Sequence, residues 1–216
     1  MFTDSLHRRF FGFLSLFGPK AQGKILRRYF NWWHRTPDPW HLSVSPYERD
    51  KYHATLRQVP ERSYSRILDA GCSEGTFTHL AAGAHPGAET IGIDISERAL
   101  ARARAARPVG DGGPRFIAGD LLNPPDLGRF DLVFCAETLY YLGRDDRLRL
   151  ASRRLRDLLA PGGVLVLVHP WPEAPELYRH LDADAALAKS AEHVENDARR
   201  PYSVTVYTRA PATAGH

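Results

Sequence analysis

The chain has 216 residues, 43% of them hydrophobic, which suffices for one α/β domain with an appendage and is too short for two full domains. Two cysteines, Cys72 and Cys135, are too few for a disulfide framework, no apolar run approaches the ~20 residues of a membrane span, and no apolar leader precedes a small-residue cleavage site, so a cytoplasmic protein is expected. The formal charge of +4 is uneven: residues 1–40 hold seven Lys/Arg against Asp4 and Asp38, a net of +5, leaving −1 for the rest.

That basic stretch is also aromatic. Phe10, Phe11, Phe13, Leu14, Leu16 and Phe17 stand among Arg8, Arg9, Lys20 and Lys24. Such a segment suits a membrane surface or an anionic partner, and membrane association of residues 1–30 stays open. Packing on its own domain or on a second subunit is the preferred reading, because exposed apolar patches are more often interfaces than lipid anchors. A helix is expected over 47–58. From Ser65 onward strand and helix patterns alternate, the mark of a mostly parallel sheet covered on both faces. Strands are expected at 66–70, 89–94, 114–118, 130–135, 163–169, 190–195 and 202–209, and helices at 76–83, 97–106, 145–159 and 175–187. Residues 108–114 read as a surface loop and 210–216 as a frayed tail, giving an appendage or lid over 1–60 and a domain over 61–209.

The first strand runs into Asp69-Ala70-Gly71-Cys72-Ser73-Glu74-Gly75, a glycine-punctuated turn that lets a ligand approach the backbone and opens a helix whose first N–H groups are unpaired. The second strand closes on Asp94 before Ile95, about 20 residues further on, where a ribose-binding carboxylate belongs. The third closes on Asp120 and Leu121. Ligands of an open α/β sheet lie outside the carboxyl ends of its strands, so Asp69, Asp94 and Asp120 are expected along one crevice.

The ordered set Leu-Asp-Ala-Gly-Cys-x-x-Gly, Gly-Ile-Asp-Ile-Ser, Gly-Asp-Leu, Phe-Asp-Leu-Val and Leu-Ala-Pro-Gly-Gly-Val-Leu resembles the class I S-adenosylmethionine-dependent methyltransferases over residues 65–209. The resemblance implies a doubly wound, seven-stranded, mostly parallel sheet with an antiparallel last strand, an N-terminal helical appendage, and S-adenosylmethionine (SAM) as cofactor, giving S-adenosylhomocysteine. A nicotinamide cofactor is the natural competitor. It wants Gly-x-Gly-x-x-Gly over a pyrophosphate, and Ser73 stands where the middle glycine belongs. By resemblance Asp94 and Ile95 meet the ribose, Asp120 and Leu121 the adenine, and Asp69, Gly71, Cys72, Gly75 and Glu137 the methionine end. Upstream, Asp38-Pro39-Trp40 followed by Tyr47-Glu48-x-x-Lys51-Tyr52 is similar to nodulation methyltransferases of the NodS type, which act on a sugar amine. Tyr47 and Lys51 are then placed over the cofactor carboxylate.

The expected acceptor is an amine or hydroxyl of a small molecule, a sugar or sugar-bearing natural product, as in antibiotic biosynthesis. Methyl transfer from a sulfonium chiefly requires alignment. A hydroxyl acceptor gains from a general base, and His169, at the end of the fifth strand, is the leading choice, with Glu137, Tyr140 and Tyr141 as orienting groups and Trp171 as a flat floor. No histidine groups with carboxylates at metal-binding spacing, so no metal is expected. The rivals are a nucleic-acid methyltransferase, disfavoured because Ala136-Glu137-Thr138-Leu139 replaces the base-flipping enzymes' Asn/Asp-Pro-Pro motif, and a non-catalytic SAM-binding protein. Monomer and homodimer stay open.

Overall fold

The computed structural model describes residues 5–106 and 113–211, so most of the loop expected at 108–114 and of the tail expected at 210–216 lies outside the described residues. Three helices come first: α1 (Ser5–Leu14), α2 (Pro19–Trp33) and α3 (Pro46–Arg57). Proline opens both α2 and α3, where a missing N–H costs nothing, and Ser45 caps α3 by accepting from the Glu48 N–H. The alternation then follows as β1 (Arg66–Ala70), α4 (Thr76–Ala84), β2 (Glu89–Asp94), α5 (Glu97–Ala105), β3 (Arg115–Ala118), β4 (Phe130–Ala136), α6 (Asp145–Leu158), β5 (Leu159–Pro170), α7 (Ala174–Asp182), β6 (Leu187–Glu195) and β7 (Tyr202–Arg209).

The sheet order is β3-β2-β1-β4-β5-β7-β6, and β7 pairs antiparallel with both of its neighbours. Near-continuous apolar strands such as Ile67-Leu68 and Val164–Val168 are buried from both sides, as the central strands of a parallel sheet must be. Leu148, Leu155, Tyr178 and Leu181 from α6 and α7 cover one face; Tyr52, Phe77 and Ala81 from α3 and α4 cover the other. Chain order reverses between β1 and β4, which sets the crevice at the carboxyl ends of those strands.

Three expected boundaries move by more than a residue or two: the end of the helix expected at 175–187 and the starts of the strands expected at 163 and 190. The helix expected to reach residue 187 stops at Asp182, although Ala183, Ala185 and Ala186 favour a helix locally. Asp184 turns the chain instead, its carboxylate accepting the Ala186 N–H and its carbonyl the Leu187 N–H, so that β6 starts at Leu187 and gains a ladder with β7. Likewise β5 begins at Leu159 rather than 163, because the chain crosses Pro161-Gly162-Gly163 with only a local shift of pairing against β4.

The N-terminal helices pack on their own domain. Phe11, Leu14 and Leu26 are buried with Phe30 against Ile95, which follows β2, and Tyr141, which follows β4. Tyr141 is flanked edge-on by Phe11 and Phe30, at 5.1 and 5.0 Å between ring centroids. Each side chain so buried is worth roughly 1.5–3 kcal/mol. Arg147 of α6 ties the turn between α1 and α2 down, donating to the carbonyls of Ser15 (3.1 Å) and Phe17 (2.6 Å) and to Gln22 Oε1 (2.9 Å).

Candidate active site

At the carboxyl ends of the strands lies a cavity of ≈ 700 Å³, within the range of small-molecule sites. The sheet order lays its carboxylates out in a row: Asp120 after β3, Asp94 on β2, Asp69 on β1, Glu137 after β4. All four line the cavity, as do Gly71, Cys72, Ile95, Leu121, Tyr47, Lys51, Tyr140 and Tyr141.

The Asp69–Asp120 end is preorganised by backbone donors. Asp94 accepts the N–H groups of Ser73 (2.9 Å) and Ser96 (2.7 Å), Asp120 accepts that of Leu122 (2.9 Å), and Asp69 accepts the Thr78 hydroxyl (2.6 Å). Burial raises all three carboxyls above their usual range. Asp69 is pushed up to about 7 by burial and the nearby Asp94 charge, with the Thr78 hydrogen bond opposing. Gly71 has φ +90° and its α-carbon faces the Thr138 hydroxyl, so any side chain there collides. Gly75 has φ +81° and turns into α4 with the Phe116 ring 2.7 Å from where a Cβ would stand. It shapes the loop from behind and is outside the cavity lining.

These residues fit SAM. Among the described residues the buried Asp69 carboxyl has one neutral hydrogen-bond donor, and it becomes an anion readily when a cation such as the cofactor's amino group arrives. The Ser73 hydroxyl, on a residue that lines the cavity, is buried with no hydrogen-bond partner among the described residues.

Helix α2 roofs this end. Leu26, Phe30 and His34 line the cavity, and Gly23 lets the helix approach Asp120 so closely that a Cβ would meet the carboxylate. Glu74, in the glycine turn, latches the roof: its Oε1 lies 2.9 Å from both His34 Nδ1 and Arg102 Nη1, and its carboxylate accepts the Asp38 N–H at 3.1 Å. Arg102 also donates to the His34 carbonyl (2.8 Å), while Asn31 Oδ1 accepts from Ser96 Oγ (2.9 Å). Sequence reasoning missed these latches, since nothing in the spacing of Asn31, His34, Glu74 and Arg102 connects them.

At the Glu137 end a chain of charges takes over. Lys51 Nζ bridges Glu137 Oε1 (2.8 Å) and Glu48 Oε2 (2.9 Å), and Arg200 Nη2 reaches Glu48 Oε1 (2.8 Å). Lys51 and Glu48 are each 4% exposed. Burial works against the Lys51 charge, yet the two carboxylates outweigh it and hold the ammonium above its usual range. Burial pushes the Glu137 carboxyl up, but Lys51 outweighs that and keeps it below its usual range, so it is an anion. Tyr47 lies under both cations, 5.2 Å from Lys51 and 4.4 Å from Arg200, and its hydroxyl donates to the Arg200 carbonyl (2.7 Å). The Glu48–Lys51 spacing was a readable signal for this pair; the arrival of Arg199 and Arg200 from between β6 and β7 was not.

His169 corrects the expectation of a general base. It is fully buried and outside the cavity lining, and its Nε2 accepts the N–H groups of Thr138 (3.2 Å) and Leu139 (3.0 Å). The proton therefore sits on Nδ1, 2.9 Å from the Tyr178 hydroxyl, and burial lowers the ring to about 4. A neutral imidazole with both nitrogens engaged takes no proton from a substrate; it holds the turn that aims Glu137, which has φ +51°. Trp171 is likewise packed on the core away from the cavity, which removes it as a substrate floor. Among the described residues no three His, Cys, Asp or Glu side chains gather to hold a metal.

Residues 61–207 match the family model for a methyltransferase domain. The chain is 36% identical to nodulation protein S of Rhizobium tropici over 131 residues, 60% of this chain and 53% of that protein. It is 34% identical to trans-aconitate 2-methyltransferase of Variovorax paradoxus over 143 residues, 65% of this chain and 52% of that protein. The chain thus spans about half the length of the curated relatives it matches. Among solved structures, the N-methyltransferase NodS of Bradyrhizobium japonicum in complex with S-adenosylhomocysteine has the same fold, with a TM-score of 0.74 and 24% identity over 85% of this chain and 97% of that one. With this fold, the row of carboxylates and a family match over most of its length, the chain belongs to the class I S-adenosylmethionine-dependent methyltransferases.

Proposed function

We propose that the chain transfers the SAM methyl group to the nitrogen of a small-molecule amine, a sugar amine or one on a sugar-bearing natural product. Bound SAM would supply an electrophilic methyl carbon and leave as S-adenosylhomocysteine, while this chain's residues would hold the neutral amine nitrogen in line with that carbon, the amine proton passing to solvent. The observation that carries the reading is the Glu137 carboxylate, kept charged by Lys51 at the cavity wall beside β1. A carboxylate held below its usual range is a poor base for a hydroxyl and a good acceptor from an amine N–H, so it orients the lone pair. Tyr140 and Tyr141 wall the same place, and burial raises both phenols, so they stay donors. The likeness to the solved N-methyltransferase NodS, 25% identical to this chain, supports an amine.

A carboxylate acceptor is the second reading. Arg199 lines the cavity with an exposed side chain, next to Arg200, and trans-aconitate 2-methyltransferases are among the relatives. A methyl-transfer assay over aminosugars and small polycarboxylates, with the product linkage read by mass spectrometry, decides. N-methyl products are expected. Methyl esters would overturn the amine reading in favour of the second, and tight SAM binding without any product would favour a non-catalytic protein.

A further inference from the structure

The outer surface of the roof has a chemistry that methyl transfer does not use. Among the described side chains, Phe13 is 59% exposed, Leu16 62%, Phe17 43% and Phe10 40%, with Trp32 at 54%. Phe10 and Phe13 stand one turn apart on α1, Phe17 follows in the turn beyond its end, Phe13 and Phe17 touch edge-on (5.8 Å), and with Leu16 they project where α1 turns into α2. Along α2 and just beyond it, Lys20, Lys24, Arg27, Arg28 and Arg35 are all exposed. The sequence carries no acidic residue between Asp4 and Asp38, and of these cations Arg27 acts on the Asp120 carboxylate. An apolar tip beside an all-basic flank is the composition of an element that lies in a bilayer interface with its cations on anionic headgroups.

We propose that the α1–α2 hairpin docks this protein on an anionic lipid surface, inserting Phe13, Leu16 and Phe17 at its tip. Charge complementarity selects the occupant. A second copy placed face to face would set Lys20, Lys24 and Arg28 against their own like charges. A nucleic acid would use the cations, but it has no call on an exposed leucine beside phenylalanines at the end of a hairpin. No helix among the described residues is long and apolar enough to cross a membrane, so the contact is interfacial. Because the inner side of α2 carries Leu26, Phe30 and His34 into the cavity, docking lays the roof of the site along the membrane.

Flotation of the full chain with vesicles tests this. Vesicles of equal parts phosphatidylglycerol and phosphatidylcholine are expected to bind at least roughly tenfold more protein than pure phosphatidylcholine, with the difference shrinking as salt rises. Phe13→Ser with Leu16→Ser, and separately Lys20→Glu with Lys24→Glu, are expected to abolish the difference while leaving S-adenosylhomocysteine affinity unchanged, since none of the four residues lines the cavity. Equal binding to both vesicle types, or binding indifferent to both double variants, would overturn the proposal. So would a homodimer that the serine variants dissociate, or a short single-stranded RNA that binds through these residues when vesicles do not.

Discussion

Asp94 and Glu137 are both carboxylates at the carboxyl end of a parallel strand, both line the same cavity, and they are held in opposite ways. Asp94 rests on backbone N–H donors from its own βα turn and the neighbouring one, and burial raises it. Glu137 rests on Lys51, a side chain from a helix 86 residues away in sequence, and that ammonium keeps it ionised. Backbone donors come with the topology of the sheet, whereas a side-chain partner depends on how separate elements happen to meet. On the proposed assignment, the cofactor half of the cavity is therefore a property of the fold, and the acceptor half is a property of this chain.

The contrast is broken most severely at Lys51. Lys51→Met leaves Glu137 without its cation and Glu48 with Arg200 alone, and removing one member of a buried ion pair costs about 3–5 kcal/mol. Denaturant unfolding should show a loss of that order, and Lys51→Arg should recover part of it; a variant as stable as the parent would mean the network carries no weight.

A pH dependence separates the halves next. Asp69 has its folded value raised to about 7 against an ordinary 3.8, so the folded state favours the proton. Its contribution to stability is present at low pH and is lost as pH rises from about 4 to about 7, a difference on the order of 4 kcal/mol. The ligand-free protein should gain from Asp69→Asn at pH 8 and not at pH 4, while S-adenosylhomocysteine binding, which needs the anion, should be tighter at pH 8 than at pH 6. Thermal melts and calorimetry across pH check both, and flat profiles would contradict the assignment.

Asp94→Ala removes an acceptor at the proposed ribose position and should weaken S-adenosylhomocysteine by roughly 1.5–3 kcal/mol, about ten- to a hundredfold in Kd. Unchanged affinity by calorimetry would remove Asp94 from the cofactor site. The smallest effect is expected at the roof: Glu74→Gln keeps the shape of the latch and weakens its charge-assisted bonds to His34, Arg102 and the Asp38 N–H by about 1 kcal/mol. Faster amide hydrogen exchange over residues 31–38 should report it, with the exchange of β1 and β4 unaltered.

By itself the sequence determined the sheet, its strands in order, and the row Asp69, Asp94, Asp120, because apolar strands ending in acids and glycine turns encode local geometry that the parallel topology then aligns. It also carried Tyr47 and Lys51 onto one helix beside the cavity. Only the tertiary structure decided what His169 does, since a histidine at a strand end reads the same whether its nitrogens face solvent or two backbone N–H groups. The same holds for Glu74, Arg200 and the two-sided α2: their partners lie 28 to 153 residues away, and contacts at that separation leave no local pattern in a single chain.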